Sequence, residues 1–220
     1  MKIYKFLHSC LLVEGDGEKI LFDPGFYSFI EEKIKPESFT NLSGILITHE
    51  HNDHLDRVSL KTILQNNPGA AVLTNSGVKN LLEKDDIQVT AVDDGKYKIG
   101  NFEIEIIPAE HEKLLFSVPQ NTAYLINNKF LNPGDSLDKS LLQFKNIEVL
   151  ALPVATVPWA KAVEVGEFTK LINPKIVIPV HDGGAKDIFL ERQYQNYEKY
   201  FSQLGIKFQP LRNPDDFIEI

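Results

Sequence analysis

The chain has 220 residues, 31 acidic against 23 basic side chains, a net charge of −8, six histidines and a single cysteine. This length suits one domain over residues 1–220 with a core large enough to fold without disulfides, and Cys10 alone cannot form one. The acidic balance argues against a surface that tracks nucleic acid, and no apolar run is long enough for a transmembrane helix.

Short β-type runs come first, at residues 3–7, 10–14 and 19–23, the last two joined across Gly15-Asp16-Gly17. The first run carries Lys2 and Lys5 and is broken by His8, Ser9 and Cys10, so it reads as a strand rather than a leader peptide, and the protein as cytoplasmic. Cys10 reads as an inert buried thiol. Residues 45–48 are too short for a helix and suit a buried strand. Residues 55–66 set Leu55, Val58, Ile63 and Leu64 at helical spacing and stop at Asn67-Pro68-Gly69. Strands follow at 70–74, 89–92 and 102–107, then a hairpin of 122–126 and 129–131 across Asn127-Asn128. Residues 149–152 and 176–180 read as buried strands, 161–172 and 186–204 as helices. Phe189, Tyr194, Tyr197 and Phe201 of the last helix are read as packing and surface anchoring. Strands in runs with helices between them favour a two-sheet core with helices outside over a doubly wound parallel sheet.

The run His49-Glu50-His51-Asn52-Asp53-His54 concentrates three imidazoles and a carboxylate in six residues. Imidazole nitrogen and carboxylate oxygen both suit Zn²⁺ and related metals. Four such donors exceed the three that a catalytic ion usually takes, which points to two ions sharing the cluster. His49 and His181 directly follow apolar strands, and His111 and Asp135 come a few residues past theirs. Loops at strand ends held by a rigid scaffold are where sites are built. The bland alternatives are a polar loop in which Asp53 caps the next helix, ordinary histidines at 111 and 181, and a turn aspartate at 135.

His-x-His-x-Asp-His, then His111, then Gly134-Asp135, then His181, after an early Asp23 in Leu21-Phe22-Asp23-Pro24-Gly25, resembles the motif series of the metallo-β-lactamase superfamily over residues 1 to about 185. The resemblance implies an α+β fold, an αββα sandwich of two mixed β-sheets flanked by helices, with a metal site at one edge. It implies that His49, His51 and His111 hold one divalent ion, that Asp53, His54 and His181 hold a second, and that Asp135 bridges them. Zinc is the first choice, with manganese, iron or nickel as alternatives. Asp23 would orient a metal-bound imidazole. The opening Leu7-His8-Ser9-Cys10-Leu11-Leu12-Val13-Glu14 and the stretch from Pro174 to His181 are similar to the group that includes ascorbate-phosphate lactonase. Leu7 departs from that group's glycine, as does the segment Val154-Ala155-Thr156-Val157-Pro158-Trp159 from its glycine-rich stretch.

The implied activity is hydrolysis by a metal-bound hydroxide attacking an ester, lactone or similar centre of a small, anionic substrate, with Asp53 orienting the nucleophile and taking its proton. His8 and Trp159 are candidates for second-shell or substrate contact. Phe116 and Lys161 are candidate pocket walls, though packing is the default for Phe116 and Trp159. The rival readings are a phosphodiesterase, a redox di-iron protein, against which His51 counts because that branch favours a carboxylate there, and a non-catalytic metal-binding or ligand-sensing protein. Oligomerisation is left open.

Overall fold

The computed structural model describes residues 1–115, 117–154 and 161–220. In chain order it runs β1 (Lys2–Lys5), β2 (Leu11–Gly15), β3 (Glu18–Phe22), β4 (Gly44–Leu46), α1 (Arg57–Asn66), β5 (Ala71–Thr74), α2 (Ser76–Leu82), β6 (Thr90–Ala91), β7 (Gly95–Ile99), β8 (Phe102–Pro108), β9 (Thr122–Ile126), β10 (Phe130–Asn132), β11 (Val149–Pro153), α3 (Ala162–Ile172), β12 (Ile176–Val180), α4 (Asp187–Gln203), β13 (Lys207–Phe208) and β14 (Phe217–Glu219).

Local chemistry sets the boundaries. Asp16 and Gly17 both have positive φ (52° and 81°), as do Asn127 and Asn128 (51° and 53°), the backbone that two-residue hairpins require. The Asp56 carboxylate accepts the Val58 and Ser59 N–H groups and caps α1, so Asp53 is not the helix cap. Asn75 caps α2 in the same way through Val78 N–H. Asn173, at φ 53°, ends α3. In β8, Phe102, Ile104 and Ile106 face inward while Glu103 is exposed and Glu105 half-buried, the period of two of a half-solvated strand.

Among the described residues fourteen strands form two sheets, ordered β14-β1-β2-β3-β4-β5-β6 and β13-β12-β11-β10-β9-β8-β7. The halves repeat one pattern. β1, β2 and β3 pair antiparallel and β3 to β6 parallel; β7 to β10 pair antiparallel and β10 to β13 parallel. One apolar cluster fills the space between the sheets, with Leu11, Phe22 and Leu46 facing Tyr124, Ile126 and Phe130. A second lies between the second sheet and α3 and α4, with Leu150, Val165, Phe168 and Phe201. A third lies between the first sheet and α1 and α2, with Ile45, Leu60, Ile63 and Val78. The result is an α+β sandwich of two mixed sheets with helices on both outer faces. Among the described residues no helix is long and apolar enough to cross a membrane.

This pairing decides where a site can be built. β1, β3 and β4 run in one direction, so their C-terminal ends share an edge; β8, β10 and β12 do the same in the other sheet. The segments that leave those six ends carry His8, Asp23, the His49–His54 run, His111, Asp135 and His181.

Candidate metal centre

Every ligand candidate named from the sequence comes to this edge. His49, His51, His111 and Asp135 form one group of facing donor atoms; His8, Asp53, His54 and His181 form another, the atoms of each lying within 4.8 Å of one another. Asp135 stands between the two. Its Oδ1 is 3.2 Å from His54 Nε2, and its Oδ2 is 3.0 Å from His181 Nε2, 3.7 Å from His111 Nε2 and 3.9 Å from His49 Nε2.

Hydrogen bonds at the rear fix which nitrogen faces inward. His54 Nδ1 lies 3.0 Å from Asp23 Oδ2, so its Nδ1–H donates there and Nε2 faces the site. The Thr48 hydroxyl donates to the same Asp23 oxygen at 2.9 Å and receives His49 Nδ1–H at 3.0 Å. His111 Nδ1–H donates to the Glu112 carbonyl at 2.7 Å. His51 is turned the other way, and its Nδ1 faces His49 Nε2 at 3.1 Å. Two donors bound at about 2.05 Å to one tetrahedral ion stand about 3.3 Å apart, so this pair is spaced as two ligands are. His111 Nε2 is buried and has no hydrogen-bond partner among the described residues, and the buried His54 Nε2 and Asp135 Oδ1 face only each other, as an ion pair at 3.2 Å. Buried polar atoms are normally paired, and orphaned lone pairs that converge with a carboxylate fit divalent metal ions.

Charge among these side chains is distributed unevenly. Burial pushes His49, His51 and His111 below the ordinary histidine value, so they are neutral at pH 7. Burial pushes His8 down to about 4. His54 and His181 go the other way. Burial opposes their charge, but Asp135 beside them outweighs it, and His181 is raised to about 10. Burial also opposes ionisation of Asp135 and Asp53, and their histidine neighbours hold both carboxyls well below the usual range. His54 and His181 would have to give up their protons to hold a cation, which would replace the carboxylate pairing described here.

Asp23 is fully buried and holds Thr48 N–H (2.8 Å), the Thr48 hydroxyl and His54 Nδ1–H. Asp23→Ala would orphan these donors in the interior. It is expected to cost the metal-free chain about 3–5 kcal/mol, read by urea unfolding. It is also expected to weaken metal binding about 10–100-fold. A change below about 1 kcal/mol with unaltered affinity would contradict its assigned role.

Several supporting residues have no signature in the sequence. The buried Asn121 amide donates to the Ala109 and Pro133 carbonyls (3.2 and 3.0 Å) and accepts Asp135 N–H (3.2 Å), joining the His111 and Asp135 loops. Gly134, at φ 61°, passes so close to this amide that a Cβ would stand 2.2 Å from Asn121 Oδ1. Gly25 is needed for close approach, since a Cβ there would stand 1.9 Å from the Asp53 carbonyl oxygen. Asp182, next to His181, is buried and accepts both the Lys5 ammonium and the Tyr194 hydroxyl. Trp159 and Phe116 lie outside the described residues, and Lys161 is exposed at the start of α3. Cys10 is buried, and burial raises its thiol pKa, in keeping with an unreactive group.

The chain and its fold have counterparts among known proteins. A family model described as "Beta-lactamase superfamily domain" matches residues 2–181. The Mycobacterium tuberculosis protein Rv0786c is 31% identical over 188 residues, covering 82% of this chain and 84% of its own. A protein of Carboxydothermus hydrogenoformans named UPF0173 metal-dependent hydrolase is 28% identical over 202 residues, with 82% and 84% covered. Two solved structures share the fold at low identity. The metallo hydrolase Igni18 from Ignicoccus hospitalis has a TM-score of 0.70, 21% identity and coverage of 99% of this chain and 97% of its own. The metallo-beta-lactamase fold protein YhfI from Bacillus subtilis has 0.75, 15%, 99% and 98%. With six strand ends delivering two groups of histidine and aspartate donors to one edge, and a family model spanning most of the sequence, the chain belongs to the beta-lactamase superfamily.

Proposed function

We propose that this protein is a binuclear metal-dependent hydrolase of small, anionic esters or lactones. The observation that carries the reading is the pair of four-donor groups that meet at Asp135, their buried nitrogens and carboxylate oxygens turned toward one another. His49, His51 and His111 would hold one ion, Asp53, His54 and His181 the other, and Asp135 both. Two divalent ions bound there would supply Lewis acidity and acidify water to near neutral pH. Zinc suits the imidazole-rich donor set, as do manganese, iron and nickel to differing degrees.

The protein's own contribution is orientation and proton handling. Asp53 is the most exposed of the carboxylates in the two groups, its side chain 24% accessible against 3% for Asp135. Its Oδ2 is held by His8 at 3.0 Å and His181 at 3.2 Å. Its Oδ1 makes no hydrogen bond among the described residues and is the atom assigned to orient the attacking water and accept its proton. Two divalent ions against Asp53 and Asp135 leave net positive charge at the mouth, which favours an anionic substrate. The lactone or ester preference rests on the similarity of residues 7–14 and 174–181 to the ascorbate-phosphate lactonase group. The names of the metal-dependent hydrolase relatives support hydrolysis in general. A cytoplasmic location belongs to the same proposal.

The test is an activity panel on the zinc- and manganese-loaded protein with a lactone, an aryl ester, a thioester and a phosphodiester. Turnover of the lactone or ester that disappears on chelation is expected. Preference for the phosphodiester would move the substrate class. No turnover of any substrate by protein holding two ions would favour a binding or sensing role.

A further inference from the structure

His8 lies among the second group of donors, and distance alone would admit it as a further ligand beside Asp53, His54, His181 and Asp135. Its other nitrogen decides against this. Gly183 N–H donates to His8 Nδ1 at 3.0 Å. A backbone N–H has only a proton to give, so Nδ1 is the nitrogen with the free lone pair. A neutral imidazole then carries its hydrogen on Nε2, and Nε2 lies 3.0 Å from Asp53 Oδ2. A nitrogen that bears a proton has no lone pair for a metal.

We propose that His8 is a positioning residue and not a metal ligand: it donates Nε2–H to Asp53 Oδ2 and ties Asp53 to the segment that carries His181. Three contacts make the tie. His8 O accepts His181 N–H at 3.3 Å, His8 Nδ1 accepts Gly183 N–H, and His8 Nε2–H reaches Asp53. Asp53 comes from the loop after β4 in the first sheet and His181 from the end of β12 in the second, so His8 sets one against the other at 3.2 Å. Glycine at 183 permits the approach, since a Cβ there would stand 3.0 Å from His8 Cβ. His8 itself sits at φ 59°, a backbone that a β-carbon disfavours and that persists only where the surroundings over-determine it. The His8 side chain is 3% exposed, so solvent does not compete for either nitrogen.

This inference rests on Asp53 being a metal ligand, and its test separates the two claims. Long-range ¹H–¹⁵N correlation on zinc-loaded protein reads the ring directly. The expected pattern is the Nε2–H tautomer at His8, and an Nδ1–H tautomer with a metal-shifted Nε2 would overturn the proposal. Substitutions supply a second readout in the zinc affinity of the loaded sites, measured by chelator competition. The amide nitrogen of His8→Gln reaches the position of Nε2 and keeps the donor to Asp53, whereas the shorter His8→Asn does not. His8→Ala and His8→Asn are expected to weaken one of the two zinc ions about 10–100-fold, and His8→Gln to restore it to within a few-fold. Loss of that ion in His8→Gln as in His8→Ala would mark His8 as a ligand. A wild-type stoichiometry of one would defeat the two-ion reading, while the tautomer would still report the role of His8.

Discussion

Asp135→Ala is expected to empty both metal sites, whereas His181→Ala empties one. Asp135 is the only candidate ligand whose oxygens face both groups: Oδ1 meets His54, and Oδ2 meets His181, His49 and His111. It is 2% exposed, so no water can take over its role without rearrangement. His181 approaches Asp53 and Asp135 from one side only. Removing it leaves His49, His51, His111 and Asp135 intact as a set. In the metal-free protein Asp135 also balances His54 and His181, both raised by it. Asp135→Ala therefore costs that form stability as well, about 3–5 kcal/mol for an uncompensated buried partner. Asp135→Asn keeps the volume and the packing, and separates loss of charge from loss of fold. Elemental analysis after zinc reconstitution should give near zero ions for Asp135→Ala and near one for His181→Ala. Loss of one ion in each would show that Asp135 serves a single site.

Acid is expected to remove the metals while the tertiary structure survives. Ligand imidazoles must be deprotonated to bind, and free histidine titrates near pH 6.5, so metal-derived stability is present at neutral pH and lost as pH falls below that value. The metal-free site then responds in two directions. His49, His51 and His111 are lowered in the folded chain, so their contribution is present above pH 6.5 and lost as pH falls towards their folded values. His54 and His181 are raised, so theirs is fully present below pH 6.5 and is lost as pH rises, for His181 through about 10. Between pH 6.5 and the ordinary carboxylate range near 4, Asp53 and Asp135 remain ionised and paired with those two protonated rings. The ion pairs take the place of the lost cations, and the three apolar clusters are unaffected. Zinc release followed with a chromophoric chelator should precede any loss of near-UV circular dichroism. Collapse of tertiary structure in step with the first ion released would make the metals structural supports.

The candidate ligands were legible because metal chemistry restricts residue type and because they sit at or just beyond apolar strands. His49 and His181 could be placed from Ile45-Leu46-Ile47-Thr48 and Ile176-Val177-Ile178-Pro179-Val180 alone. The helices at 161–172 and 186–204 were equally readable, since α3 and α4 match them to within a residue at each end. What stayed hidden was long-range or unpatterned. β14 has three residues and exists because it pairs with β1 across the whole chain, information that no local window contains. β13 has two residues, and α2 seven, with only Val78 and Leu82 buried. The first predicted strand stops at Lys5 instead of Leu7, because the chain must turn through φ 59° at His8 to bring that ring to Asp53. Asn121, Thr48 and Asp182 were missed for a related reason. A buried polar side chain satisfied by backbone or by one distant partner leaves no spacing for a sequence to show.

Metal stoichiometry of the reconstituted wild-type chain tests the central claim most directly. Chelator-stripped protein would be loaded with excess zinc near pH 7.5, passed through a desalting column, and assayed for metal and protein in the same sample. The proposed binuclear site, built on the two donor groups that meet at Asp135, predicts about two ions per chain, falling to zero on renewed chelation with the fold retained. A value near one that excess metal does not raise would contradict the binuclear site.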